Sequence, residues 1–207
     1  MTEILSRRER KKEETRHRIF HAAIDLFRER GFEQTTVDDI TEKADVAKGT
    51  FFNYFHRKDA ILAYLSEDRL QALEENAETL LADPRPAPEK LLDIYATAAS
   101  AYEEDPDLAR FVLIELMRRA FTPEEELGAR WHALLFKLVQ QGQQNRQLRG
   151  DVDLTRVEAL LTSIYYATLY EWVCCLDQGF PHGTDKRFSL QPELRARMTL
   201  AMEGVAP

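Results

Sequence analysis

Between Gly31 and Leu62 one stretch concentrates side chains suited to a nucleic-acid duplex. Lys48, Gly49 and Thr50 open a short helical segment, Asn53 and Tyr54 follow one turn later, and Lys58 lies just beyond. Lysine donates to guanine O6 and N7, asparagine pairs with adenine, and threonine hydrogen-bonds or touches a thymine methyl. Gly49 has no side chain, so backbone there can come close to DNA. Phe52 offers an apolar contact. Thr35 and Thr36 stand at a helix N-terminus, where free N–H groups and hydroxyls suit phosphate. Tyr54 and Lys58 present a hydroxyl and an ammonium to the flanking backbone, contacts that set register rather than sequence. Lys48, Thr50, Asn53, Tyr54 and Lys58 have no role in an apolar core.

Such residues work only if two short helices and a tight turn hold them, with the second helix entering the major groove. The sequence supplies that frame. A helix is predicted over 15–30, with Ile19, Phe20, Ala23, Ile24 and Phe27 on one face. Gly31 ends it, Arg28 and Arg30 complement its C-terminal dipole, and Phe32 packs back. Thr36-x-x-Asp39 forms a capping box for the next helix, Asp45 and Val46 make the turn, and a third helix runs over 47–55. Residues 1–14 read as a mobile basic arm leading into the first helix. Its Arg7, Arg8, Arg10, Lys11 and Lys12 suit a minor groove or phosphates.

The rest of the chain repeats its apolar residues at three and four, so the fold is predicted all-α. Further helices are expected over 59–82, 87–104, 105–120, 123–146, 154–178 and 191–203. Asp83-Pro84-Arg85-Pro86-Ala87-Pro88 is a break, Thr122-Pro123 a cap, and 179–189 a loop. That makes nine helices, three in a small head and six in a larger bundle. The expected division is 1–57 for the basic arm and helix-turn-helix DNA-binding domain, and 58–207 for a ligand-binding and dimerisation domain.

Charge is distributed to match. The net charge is −8, yet residues 1–60 carry 13 Lys/Arg against 12 Asp/Glu, and the excess of acid lies in the remainder. A protein with one basic end and an acidic body is suited to touching phosphate with that end alone. No apolar run is long enough for a membrane span and no signal peptide is visible, so the cytoplasm is the expected compartment. Cys174 and Cys175 are adjacent and form no disulfide framework.

The stretch resembles the TetR family of transcriptional regulators. The matching features are Gly31-Phe32, Thr35-Thr36-Val37, Ile40, Ala44, Val46, Lys48-Gly49-Thr50, Asn53-Tyr54-Phe55 and Lys58, in one ungapped block of about 45 residues. The resemblance implies a homodimer on a palindromic operator, usually a repressor released by a small molecule. It implies that the last two long helices, 154–178 and 191–203, form the dimer interface, and that helix 59–82 connects the ligand domain to the head. Three positions depart from the family pattern. Asp45 stands where glycine is usual, though aspartate tolerates positive φ better than most residues. Ala47 replaces a capping serine or threonine, weakening the third helix by about 1 kcal/mol. Phe52 stands where a tyrosine often supplies a hydroxyl.

The bundle is rich in aromatic residues, most of them expected in core and interface. Tyr95, Tyr102, Trp131, His132, Tyr166 and Glu171 are the candidates for a ligand pocket, with an apolar or aromatic effector. Glu171, on the most apolar helix, is the hardest to read as plain core, and a bond across a dimer is its other reading. His17, His21 and Asp25 recur every four residues, a spacing that could hold a metal, but a solvated stripe explains it as well. No metal, no cofactor and no catalytic residue is expected. Catalytic triads, paired carboxylates and phosphate loops are missing, so an enzyme fits poorly. The competing reading is a helical ligand- or partner-binding dimer that has lost specific DNA binding, motivated by Asp45 and Ala47.

Overall fold

A computed structural model describes residues 6–119, 126–177 and 188–204. Among these residues all regular structure is helical. The helices are α1 Arg7–Arg30, α2 Val37–Lys43, α3 Lys48–Tyr54, α4 Ala60–Glu75, α5 Ala77–Ala82, α6 Ala87–Glu103, α7 Pro106–Arg119, α8 Glu126–Gln144, α9 Leu154–Asp177 and α10 Leu190–Gly204. The expected cap at Thr122-Pro123 and most of the 179–189 loop lie outside the described residues.

Two local features differ from expectation. The basic segment is helical from Arg7, because Ser6 and Glu9 form a capping box. Glu9 N–H donates to Ser6 Oγ at 3.2 Å, and Ser6 N–H donates to Glu9 Oε2 at 2.8 Å. Two otherwise orphaned N–H groups are thereby satisfied, and Arg7, Arg8, Arg10, Lys11 and Lys12 ride on the first turns of α1. The predicted helix over 59–82 is two helices, giving ten among the described residues in place of nine. Asn76 sits between them at φ −93°, ψ −2°, and its Nδ2 donates to the Ala72 carbonyl at 2.8 Å. Asparagine competes with helical backbone in this way.

The chain divides into two units, residues 1–65 and 66–207. In the first, Ile19, Ala23, Phe27, Ile40, Phe51, Phe55, Ile61 and Leu62 form the core. Gly31 adopts φ 85°, ψ 154° as the C-cap of α1, a region that only glycine enters without strain.

In the second unit α6, α8, α9 and α10 pack on one another and α7 joins α6 and α9. Their core includes Leu91, Ala99, Leu135, Leu138, Leu161, Leu169 and Met198. Polar groups hold the ends of these helices. Lys90 is 1 % exposed, and its Nζ donates to Gln141 Oε1 at 2.6 Å and to the Asp83 carbonyl at 3.0 Å. Glu103, at the end of α6, accepts from the backbone N–H of Leu190 at 2.7 Å and so caps α10.

The junction of α2 and α3 is closed by backbone alone. Asp45 takes φ 51°, its N–H donates to Glu42 O at 3.2 Å, and the Val46 N–H donates to Thr41 O at 3.0 Å. That pair of bonds is a Schellman motif, which places its left-handed residue just past the C-cap. Ala47 then opens α3 with no side-chain hydrogen bond. Serine at 47 restores the missing acceptor, so Ala47→Ser is expected to raise folding stability by about 1 kcal/mol. Chemical denaturation of the two proteins checks this, and an unchanged midpoint would show that the cap is not limiting.

Candidate nucleic-acid interface and effector core

The first site starts at the end of α1. Thr35 is 1 % exposed and its hydroxyl donates to the Gly31 carbonyl at 2.8 Å. Its side chain therefore fixes the turn and has no path to phosphate. Thr36 is exposed and is the N-cap of α2. Asp39 N–H donates to Thr36 Oγ1 at 3.2 Å and Thr36 N–H donates to Asp39 Oδ2 at 2.8 Å. The Thr36 hydroxyl, and then its backbone N–H, hold the Asp39 carboxyl below its ordinary range.

α3 has one anchored side and one open side. Phe51 is 0 % and Phe55 2 % exposed, while Phe52 is 42 % exposed. Lys48, Gly49 and Asn53 are exposed with it, and Thr50 and Tyr54 are half-buried. The structure thus brings Lys48, Gly49, Phe52 and Asn53 to solvent on one short helix. Lys48 Nζ lies 2.7 Å from Asp38 Oδ1 on α2, a solvent-exposed pair. Such pairs contribute little and are screened by salt, so Lys48 can exchange Asp38 for another partner. A Cβ added at Gly49 meets no protein atom within 4 Å. Nothing inside the chain requires glycine there.

Lys58 was expected at the DNA backbone, and the structure places it differently. Its ammonium donates to the carbonyls of Phe32 at 2.6 Å and Thr35 at 2.9 Å, with Glu33 at 3.4 Å, and lies 4.3 Å from the centre of the Phe32 ring. A lysine has three donors, and all are engaged in holding the turn after α1. Burial pushes its pKa below the ordinary lysine value.

The second site lies within the second unit. Tyr95 on α6, Trp131 on α8 and Tyr165 on α9 are 1 %, 7 % and 5 % exposed. Tyr95 and Trp131 meet edge-on at 5.6 Å between centroids, and Tyr165 lies 5.4 Å from Tyr95 and 5.7 Å from Trp131. A hydrogen-bonded chain leads away from this cluster. The Thr162 hydroxyl donates to Glu158 Oε1 at 2.7 Å, so its single proton is used. The Tyr95 hydroxyl, 3.0 Å from Thr162 Oγ1, must therefore be the donor in that pair. His132 Nδ1 reaches the same Glu158 oxygen at 2.7 Å from a half-exposed position. Burial raises the pKa of Tyr95, Tyr102 and Tyr165.

Of the candidate pocket residues, Tyr95, Tyr102 and Trp131 are buried, Tyr166 meets Tyr165 edge-on at 5.2 Å, and His132 bonds to Glu158. Glu171 does not join them. It is one-third exposed and pairs with Arg197 of α10 at 2.7 Å. Arg197, with Leu160, Ile164, Ala167, Leu200 and Ala201, lines an apolar groove between α9 and α10. Glu158, Thr162 and Tyr165 were missed as site residues. The signal for Glu158 and Thr162 was a carboxylate and a threonine four residues apart on an apolar helix. Among the described residues no group of three metal-ligating side chains forms. His17 and His21 stack at 6.1 Å while Asp25 faces Lys43 at 3.7 Å. Cys174 and Cys175 are free thiols. Among the described residues no helix is long and apolar enough to cross a membrane.

A helix-turn-helix closed by a Schellman turn, ahead of a separate helical unit, defines this protein as a DNA-binding transcriptional regulator. Residues 19–65 match the model for bacterial regulatory proteins of the tetR family. The chain is similar to the fatty acid metabolism regulator protein of Bacillus subtilis (strain 168), with 24% identity over 158 residues, 75% of this chain and 81% of the relative. Among solved structures it resembles FadR of Thermus thermophilus, a transcriptional repressor in complex with lauroyl-CoA, at 28% identity and a TM-score of 0.66. That match covers 91% of this chain and 94% of the other. FadR of Bacillus subtilis, in complex with stearoyl-CoA, shares the fold at 22% identity and a TM-score of 0.67 over 91% and 98% of the two chains.

Because Lys58 ties three carbonyls of one turn, Lys58→Ala should lower the stability of the protein by about 1.5–3 kcal/mol, the range for hydrogen bonds to a charged group. Unfolding curves measure it. A loss of DNA affinity with no loss of stability would return Lys58 to the phosphate backbone.

Proposed function

We propose that this protein is a homodimeric repressor that binds a palindromic operator and leaves it when a long-chain acyl thioester of coenzyme A occupies the second unit. The observation that carries the DNA reading is the open side of α3, where Lys48, Gly49, Phe52 and Asn53 face solvent while Phe51 holds the helix from behind. Lys48 and Asn53 read base edges, with Thr50 and Phe52 supplying methyl and apolar contacts. Thr36 and Tyr54 contact phosphate. Thr35 and Lys58 support these groups from within. The competing reading, a dimer without specific DNA binding, was motivated by Asp45 and Ala47. The Schellman bonds around Asp45 argue against it.

Dimerisation is supported by the α9–α10 surface. Leu160 is 44 %, Tyr170 59 % and Leu200 70 % exposed, and contiguous exposed apolar surface of this kind marks an interface. The small side chains Ala167 and Ala201 beside them permit close approach of a second copy. The effector class is supported by the likeness to the Thermus thermophilus repressor with its bound lauroyl-CoA, and by an aromatic core suited to an apolar chain. Binding there would shift α4, which runs across the boundary between the units, and so change the spacing of the two recognition helices. Half-sites lie about 34–36 Å apart or at multiples of that distance, so a small change uncouples the dimer. The effector acts only through its different affinity for the two states.

Two experiments test this. With a duplex from upstream of the protein's own gene, a complex should form and dissociate on adding lauroyl-CoA, while coenzyme A alone leaves it intact. A complex indifferent to saturating lauroyl-CoA would remove the effector reading, and no complex at all would remove the DNA reading. Gly49→Ala should leave stability within about 1 kcal/mol of the parent yet weaken operator binding, because the added methyl has room in the protein but not against DNA. Undiminished affinity would mean that the backbone at 49 stands away from the duplex.

A further inference from the structure

Among the described residues, Trp131 Nε1 is a buried side-chain polar atom with no hydrogen-bond partner. Its side chain belongs to a residue 7 % exposed, packed against Tyr95 and Tyr165. A buried donor left unpaired is costly, and its persistence calls for an explanation. The neighbouring polar groups do not supply one. Tyr95 spends its proton on Thr162, Thr162 spends its own on Glu158, and Glu158 accepts from His132 as well. The polar chain beside Trp131 is thus complete in itself, and the indole is outside it.

An indole N–H only donates, so its partner must be an acceptor. The surroundings limit that acceptor further. The residue is 7 % exposed among tyrosine rings, and the adjacent chain includes the buried carboxylate of Glu158. A second anion would be repelled and poorly solvated there, whereas a neutral carbonyl oxygen would be accommodated. We propose that Trp131 Nε1–H is the donor for the thioester carbonyl of the effector and that it selects acyl thioesters over chains without that oxygen. The proposal rests on the acyl-thioester reading above. It makes Trp131 a specificity residue whose donor is already dehydrated before the ligand arrives, so the bond formed is not an exchange for one with water.

The test compares lauroyl-CoA with its thioether analogue, dodecyl-CoA, in which a methylene replaces the carbonyl. Both are titrated calorimetrically into the full-length protein and into Trp131→Phe. The parent should bind lauroyl-CoA about three- to tenfold tighter than the thioether, the range of one hydrogen bond, and Trp131→Phe should bind the two alike. A second measurement does not depend on the variant. The chain has two tryptophans, so the indole N–H spectrum of the labelled parent holds two signals, and Trp172→Phe assigns them. The Trp131 signal should move downfield with lauroyl-CoA and not with the thioether. Equal affinities in the parent, a preference that survives in Trp131→Phe, or an unmoved Trp131 signal would each overturn the assignment while leaving acyl-CoA as the effector. Binding of neither compound to the parent would instead overturn the acyl-thioester reading and this inference with it.

Discussion

Between α2 and α3 the chain must change direction within four residues, Ala44–Ala47, and Asp45 makes this possible by entering the left-handed region at φ 51°. The N–H groups of Asp45 and Val46 then close onto the last turn of α2. The placement of α3 follows from that closure. It fixes the axis of α3 relative to α2, it sends Phe51 into the core, and it leaves Lys48, Gly49, Phe52 and Asn53 outside. A left-handed residue other than glycine costs on the order of 1–2 kcal/mol, less for aspartate than for most. Here the two backbone bonds and the burial of Phe51 offset it.

The turn before α2, between α1 and α2, is held just as tightly by side chains. Thr35 binds back to Gly31, Lys58 holds the carbonyls of Phe32 and Thr35, and Thr36 and Asp39 satisfy one another. The groups nearest the proposed DNA surface are therefore of two kinds. Some face solvent in weak, exchangeable pairs, as Lys48 does with Asp38. Others are spent on holding the first kind in place. The second unit uses the same economy of polar groups, with one chain running inward from half-exposed His132 to buried Tyr95 and the indole of Trp131 standing apart from it.

What the sequence made legible was local. Gly31, the Thr36–Asp39 box and the strained turn at Asp45 obey rules that act over a few residues, and each appears in the structure where the spacing put it. The Ser6–Glu9 box obeys the same rule and was passed over because basic residues around it suggested an arm. The break at Asn76 was masked by the apolar periodicity on either side of it. Residues that act across the fold were not legible. Lys58 reaches back 26 positions to Phe32, and Tyr95 meets Thr162 across 67. Residue type marked Lys58 as a cation and Glu171 as a carboxylate on an apolar helix, but only packing decides that one holds a turn and the other pairs with Arg197.

In the proposed function α3 reads a sequence as one of a symmetric pair. Selection of random duplexes by the purified full-length protein at moderate salt, followed by sequencing, tests it most directly. The account predicts an enriched palindrome with two half-sites about one helical turn, or a multiple of it, apart. A folded dimer that enriches no sequence would contradict it.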